Sequence, residues 1–156
     1  MKTSLLLSAP PLKLLLLALL IAAALLLRFF PLAAALASPE FPDNISRPDT
    51  PGYLAPARSL VQSGTYEGTG RAPGFPLFLS LCFRTTGNDD CRLPAVLLTI
   101  VGIATAALCG TAAWILSADR RTGVLAALLA ALNLTAIANG PMLLSDTLFG
   151  LFAALQ

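Results

Sequence analysis

Residues 94–116 read PAVLLTIVGIATAALCGTAAWIL, 23 positions without a charge. As a helix this run is about 35 Å long, enough for the ~30 Å hydrocarbon core of a bilayer. It sets the expected fold class: all-α and integral to a membrane, a transmembrane helix bundle. Composition points the same way. Of 156 residues, 56% are hydrophobic and only 12% charged, with a mean hydropathy of +0.79. A soluble domain carries roughly 25% charged residues, and so few charges could not cover its surface.

The same composition excludes several functions. A net charge of +2, scattered along the chain, is too small for a nucleic-acid binder. The absence of histidine removes the commonest general base and metal ligand. Cys82, Cys91 and Cys109 lack zinc-like spacing, so neither a metal cluster nor a Cys/His hydrolase is expected, and there is no clear metal site.

On the C-terminal side of this run, residues 117–122 form a tight polar turn carrying Asp119, Arg120 and Arg121. Residues 123–144 are again free of charge and are expected to be one span, with Asn133, Thr135 and Asn139 as its polar edge; Asp146 follows. Residues 147–156 begin a further apolar helix that stops after about half a span. The chain is therefore expected to be the N-terminal part of a longer protein.

On the N-terminal side, the uncharged run 14–27 falls short of the ~20 residues that a span needs. Extended through Arg28 it gives a first span at 14–36, which Pro31 kinks or ends. A signal peptide with Ala35-Leu36-Ala37 as its cleavage site is the competing reading. The length of the apolar region, and Arg28 between it and that site, favour an uncleaved span. Arg28 is expected to snorkel to the outer interface rather than face a polar cavity.

Residues 38–92 form a connecting loop rich in Pro, Gly, Ser, Thr and Asn, with six acidic and five basic side chains. Within it, Tyr53, Ala57 and Leu60 recur at helical spacing and predict a short helix near 53–62. Asp49 or Thr50 is expected to cap it, Pro51 to occupy its first turn, Pro56 to sit near its start and Gly64 to end it. The apolar piece 75–83 is too short to span and suits a helix lying at the interface. Gly68-Thr69-Gly70 is no phosphate loop, because no Lys-Ser/Thr pair follows it.

The positive-inside rule puts Lys2, Lys13 and the Arg120-Arg121 turn on the cytoplasmic side, provided 75–83 does not cross. Residues 38–92 are then extracytoplasmic, and Asp146 lies on the same outer face as Asp49. Cys82 and Cys91 share that oxidising side, where a disulfide and two unpaired thiols are both open readings. Asp43, Asp89 and Asp90 read as solvated loop charges. For Asp49, helix capping is a sufficient structural reason. Asp146 interrupts an apolar region, where a charge is costly unless hydrated or paired.

Several pieces carry a family resemblance. These are DTPGY at 49–53, Ala57 and Leu60, Gly64 with Tyr66, RAPGFPLFL at 71–79, and LSDTLF at 144–149. Their order and spacing resemble the first two outer loops of GT-C membrane glycosyltransferases. The closest group comprises the bacterial relatives of the dolichyl-phosphate-mannose protein mannosyltransferases and the aminoarabinose lipid A transferase. The resemblance covers about residues 12–156. It implies transfer of a sugar from a polyprenyl-phosphate donor to a lipid, glycan or protein acceptor at the outer face of a bacterial inner membrane, without a cofactor or nucleic acid, in contact with membrane lipids. Carried over, Asp49 is the general base and Asp146 a second acidic position that orients the acceptor or supports Asp49. Arg71 would bind the lipid phosphate, with Tyr53 and Glu67 as further substrate-binding candidates. Phe75 stands where the family usually has Tyr, and Asp146 where it more commonly has Glu. The alternative from another class is a non-catalytic membrane scaffold or a transporter-like subunit.

Overall fold

The computed structural model describes residues 11–68 and 70–155, which are helical, with no strand among them. Lys2, used above to orient the first span, and Thr69 lie outside the described residues. Seven α-helices follow in order: α1 (Pro11–Ala37), α2 (Pro51–Gln62), α3 (Gly74–Thr86), α4 (Arg92–Ser117), α5 (Arg120–Ala131), α6 (Leu134–Ala138) and α7 (Asp146–Ala154). A short 3-10 turn, Asp43–Ile45, lies between α1 and α2.

Two helices carry the length. Ala18–Ala37 of α1 and all 26 residues of α4 are long and apolar enough to cross a membrane. Pro31 does not end α1, which continues to Ala37. Leu26 and Phe30 on α1, and Ile115 and Leu116 on α4, are strongly exposed. An apolar surface of that kind is unfavourable in water and natural against lipid.

α4 and α5 form an antiparallel hairpin, the most extensive packing between helices. The residue closing α4, Ala118, takes a left-handed conformation at φ 53°. Asp119 then caps α5: its carboxylate accepts from the backbone N–H of Arg121 at 3.1 Å and of Thr122 at 3.3 Å. These bonds, that to Arg121 foremost, hold Asp119 below the usual carboxylate range.

Residues 123–144, expected to be one span, do not form one continuous helix. α5 stops at Ala131 after 12 residues, about 18 Å of helix. Asn133 leaves helical geometry (φ −62°, ψ 111°), and its side chain accepts from Ala136 N–H at 3.0 Å, starting α6. An asparagine side chain competes with the helix for backbone donors, so a helix-breaking cap replaces the expected polar edge.

The break leaves carbonyls without their regular α-helical donors, and Arg28 bonds to them, although Ala130 O also accepts from Asn133 N–H at 3.4 Å. Its guanidinium donates to Ala130 O at 2.8 Å, Ala131 O at 3.1 Å and Ala136 O at 3.2 Å. Arg28 is only 4% exposed. The expected snorkelling to the interface is therefore corrected: a cation at the C-terminal end of α5 meets the negative end of the helix dipole as well as three acceptors.

The main core gathers where 38–92 folds back onto the bundle. Phe75, Leu79 and Phe83 of α3 pack with Ala57 of α2, Leu98 of α4, Ile45 and Leu143. α3 ends on Gly87 at φ 71°, the left-handed geometry that suits glycine, with Gly87 N–H bonded to Phe83 O at 2.9 Å. Its 13 residues make about 20 Å of helix, short of a crossing. Cys82 and Cys91 are buried free thiols. Burial pushes Cys91 up to about 11.

Candidate functional site

The site is built on the start of α2. Pro51 occupies the first helical position, where a missing N–H costs nothing. Neither Asp49 nor Thr50 caps the helix through its side chain, which corrects that expectation. Both side chains are engaged elsewhere. Thr50, buried, accepts from Arg47 N–H at 2.8 Å and donates to Leu143 O at 3.4 Å. The Asp49 carboxylate instead forms an ion pair with the Arg71 guanidinium.

Arg71 is the hub. Besides Asp49, it donates to the Tyr53 hydroxyl at 3.3 Å, and its guanidinium carbon lies 4.9 Å from the centre of the Tyr53 ring. The hydrogen bond to Asp49, then that to Tyr53, holds the guanidinium above its ordinary value. Gly52 leaves room for this arrangement, since a Cβ there would stand 2.9 Å from Arg71 Nε. The Arg71 carbonyl accepts from the Tyr66 hydroxyl at 2.7 Å, which fixes the returning chain.

Tyr53 joins this cluster to the far end of the sequence. Its ring meets Phe75 edge to face, with centroids 5.0 Å apart at 87°. Its hydroxyl lies 3.2 Å from Ser145 Oγ. A backbone bond of 3.2 Å from Leu143 N–H to Ile45 O holds the two segments together nearby. The stretches at 49–53, 71 and 143–145 thus form one polar network on top of an apolar core.

The other two candidates stand apart from it. Asp146 is exposed in the first turn of α7, where the helix N-terminus favours a negative charge. Its neighbour Ser145, not Asp146 itself, makes the bond to Tyr53. Asp146 lines a different place: a polar cleft of about 420 Å³ shared with Arg28, Asn133 and Asn139. Glu67 is exposed in the segment between α2 and α3, and among the described residues it forms no ion pair.

Sequence reasoning missed Thr50 and Ser145 as members of the network, although each adjoins a residue it named. It also read Arg28 as an interfacial charge. The available signal was the coincidence of a lone cation in one apolar run with three uncharged polar residues in another. Chemically, the network offers a solvent-accessible carboxylate, a permanently charged guanidinium and a hydroxyl within reach of one another. Comparison of the chain with models of known protein families, with curated proteins and with solved structures gave no match.

Proposed function

We propose that the chain is a membrane glycosyltransferase of the GT-C type, acting on a polyprenyl-phosphate-linked sugar at the extracytoplasmic face of a bacterial inner membrane. In this reading α1 and α4 cross the bilayer, the broken α5–α6 unit makes a further crossing closed by Arg28, and residues 38–92 lie outside. One observation supports it above the others. The segments singled out by the family resemblance, far apart in sequence, meet through Asp49, Arg71, Tyr53 and Ser145.

The chemistry follows from that grouping. The acceptor hydroxyl attacks the anomeric carbon of the donor sugar, and Asp49 takes its proton. The carbon–oxygen bond to the carrier breaks, and its electron pair leaves on the polyprenyl phosphate. At rest the Asp49 carboxylate is engaged by Arg71. An incoming phosphate competes for the planar guanidinium and so frees the carboxylate when the donor is in place. Tyr53 steers Arg71 from the side, while Asp146 lines the separate cleft of Arg28.

Asp49→Asn tests the reading in native membranes. Transfer of a radiolabelled sugar from the polyprenyl-phosphate donor is expected to disappear while the variant still inserts in the membrane. Full transfer by that variant would remove Asp49 from the chemistry.

The α5–α6 break and its polar cleft favour a second reading, a transporter-like subunit, because unwound backbone at membrane depth characteristically lines solute sites. Solute flux in reconstituted vesicles without any sugar transfer would select it.

A further inference from the structure

Arg28 sits in the middle of a helix long and apolar enough to span a membrane, and it pairs with no carboxylate among the described residues. Three of its five N–H groups are used on Ala130, Ala131 and Ala136. Among the described residues it is carbonyl dipoles that offset this positive charge, which is 4% exposed. A charge in that setting is costly without an anion or water beside it.

Two cavities meet at this side chain. On one side is the polar cleft of about 420 Å³, to which Thr105, Asn133, Thr135, Asn139 and Asp146 also contribute. The Asn139 side chain makes no hydrogen bond among the described residues, so its amide is available to a ligand. On the other side is an apolar groove of about 240 Å³ between α1, α4 and α5, lined by Ile21, Leu25, Ile103, Val124 and Leu128. Gly102 keeps the junction open: a Cβ there would stand 3.0 Å from Arg28 Nη1.

We propose that this junction binds a lipid phosphate, with the phosphate on Arg28 in the polar cleft and the hydrocarbon chain in the apolar groove. Charge complementarity selects the headgroup. A guanidinium with two donors left, flanked by amide and hydroxyl groups, suits a phosphate oxygen fork. The adjoining apolar groove selects an amphipathic anion over free phosphate. Asp146, at the exposed rim, repels the ligand and keeps its affinity moderate. The site is distinct from Arg71, and its test needs no sugar transfer, so its failure and the failure of the glycosyltransferase reading are separable.

The experiment is calorimetric titration of the purified chain in uncharged detergent micelles, with dodecyl phosphate and inorganic phosphate as probes. Dodecyl phosphate is expected to bind saturably, at least about tenfold more tightly than inorganic phosphate. Arg28→Gln should weaken it by at least about tenfold, the worth of a charged hydrogen bond. Because that variant also uncovers three carbonyls and can fail to fold, Asn139→Leu provides a second route, with an expected loss of about threefold. Asp146→Asn should tighten binding about fivefold by removing a like charge. Equal binding of the two probes would overturn the lipid assignment. Absence of saturable binding to the folded wild-type chain, or unchanged binding in both Asn139→Leu and Asp146→Asn, would overturn the site.

Discussion

The hydroxyl of Tyr53 lies 3.2 Å from Ser145 Oγ and accepts from Arg71 Nη1 at 3.3 Å, so one phenol ties three separate parts of the chain together. Tyr53→Phe keeps the ring and its edge contact with Phe75 and removes only these bonds. A loss of about 1 kcal/mol is expected, a fall of roughly 2–4 °C in melting temperature for a chain of this size. Combined with Ser145→Ala, the two losses should be less than additive, because both remove the same bond. Strict additivity in micelle denaturation would show that the bond contributes nothing.

Arg71 bears on Asp49 and on the proposed donor at once. Arg71→Lys keeps the charge but loses the planar fork that reaches both the carboxylate and the phenol. In the transfer assay the donor KM is expected to rise about tenfold, the worth of one charged hydrogen bond, with a smaller fall in kcat. An unchanged KM would mean that Arg71 serves the loop's folding and not the donor. Asp49→Asn should leave the donor KM nearly untouched while transfer itself is lost, and that contrast separates the two roles.

What could be read in advance follows the range of the interactions concerned. α4 was legible because 23 apolar positions in a row leave a chain few alternatives. α2 and α3 were legible from local signals: Pro51 with the helical spacing of Tyr53, Ala57 and Leu60 for one, the short apolar run 75–83 for the other. The break in 123–144 was not, since it depends on Asn133 capping α6 while Arg28, more than a hundred residues away, takes the released carbonyls. No local pattern registers that exchange. For the same reason the Asp49 carboxylate was expected to cap a helix and is found paired with Arg71, a partner 22 residues on. Asp146 was grouped with Asp49 by topology and by the family resemblance, yet its side chain lines the cleft of Arg28.

The α4–α5 hairpin depends on two glycines in close apposition. A Cβ at Gly123 would lie 2.6 Å from Trp114 Cβ and 2.8 Å from the Gly110 carbonyl, and backbone cannot move aside as a side-chain tip can. Gly123→Ala is therefore expected to destabilise the protein by roughly 1–3 kcal/mol, the usual cost of overpacking, despite alanine's better helix propensity. Gly150→Ala, where a Cβ meets nothing within 4 Å, should be neutral or stabilising. Thermal denaturation of the two variants side by side checks the contrast. Equal effects would show that the helices separate at no cost.

Asp119 gives that hairpin a dependence on pH. Its carboxylate lies below its usual range in the folded chain because it accepts from Arg121 N–H, the Thr122 hydroxyl and Thr122 N–H. The stabilisation is then present in full above the unfolded value of about 3.9 and is lost as pH falls through the lower folded value. Asp119→Ala should lower the melting temperature at pH 7, and the gap to wild type should close as the buffer is taken down to about pH 2. Asp119→Asn separates the cap from the charge. Asparagine caps helices about as well as aspartate but does not titrate, so this variant should lie between the other two at pH 7 and lose none of its advantage over Asp119→Ala in acid. A wild-type advantage that persisted undiminished at pH 2 would assign the stabilisation to something other than the ionised cap.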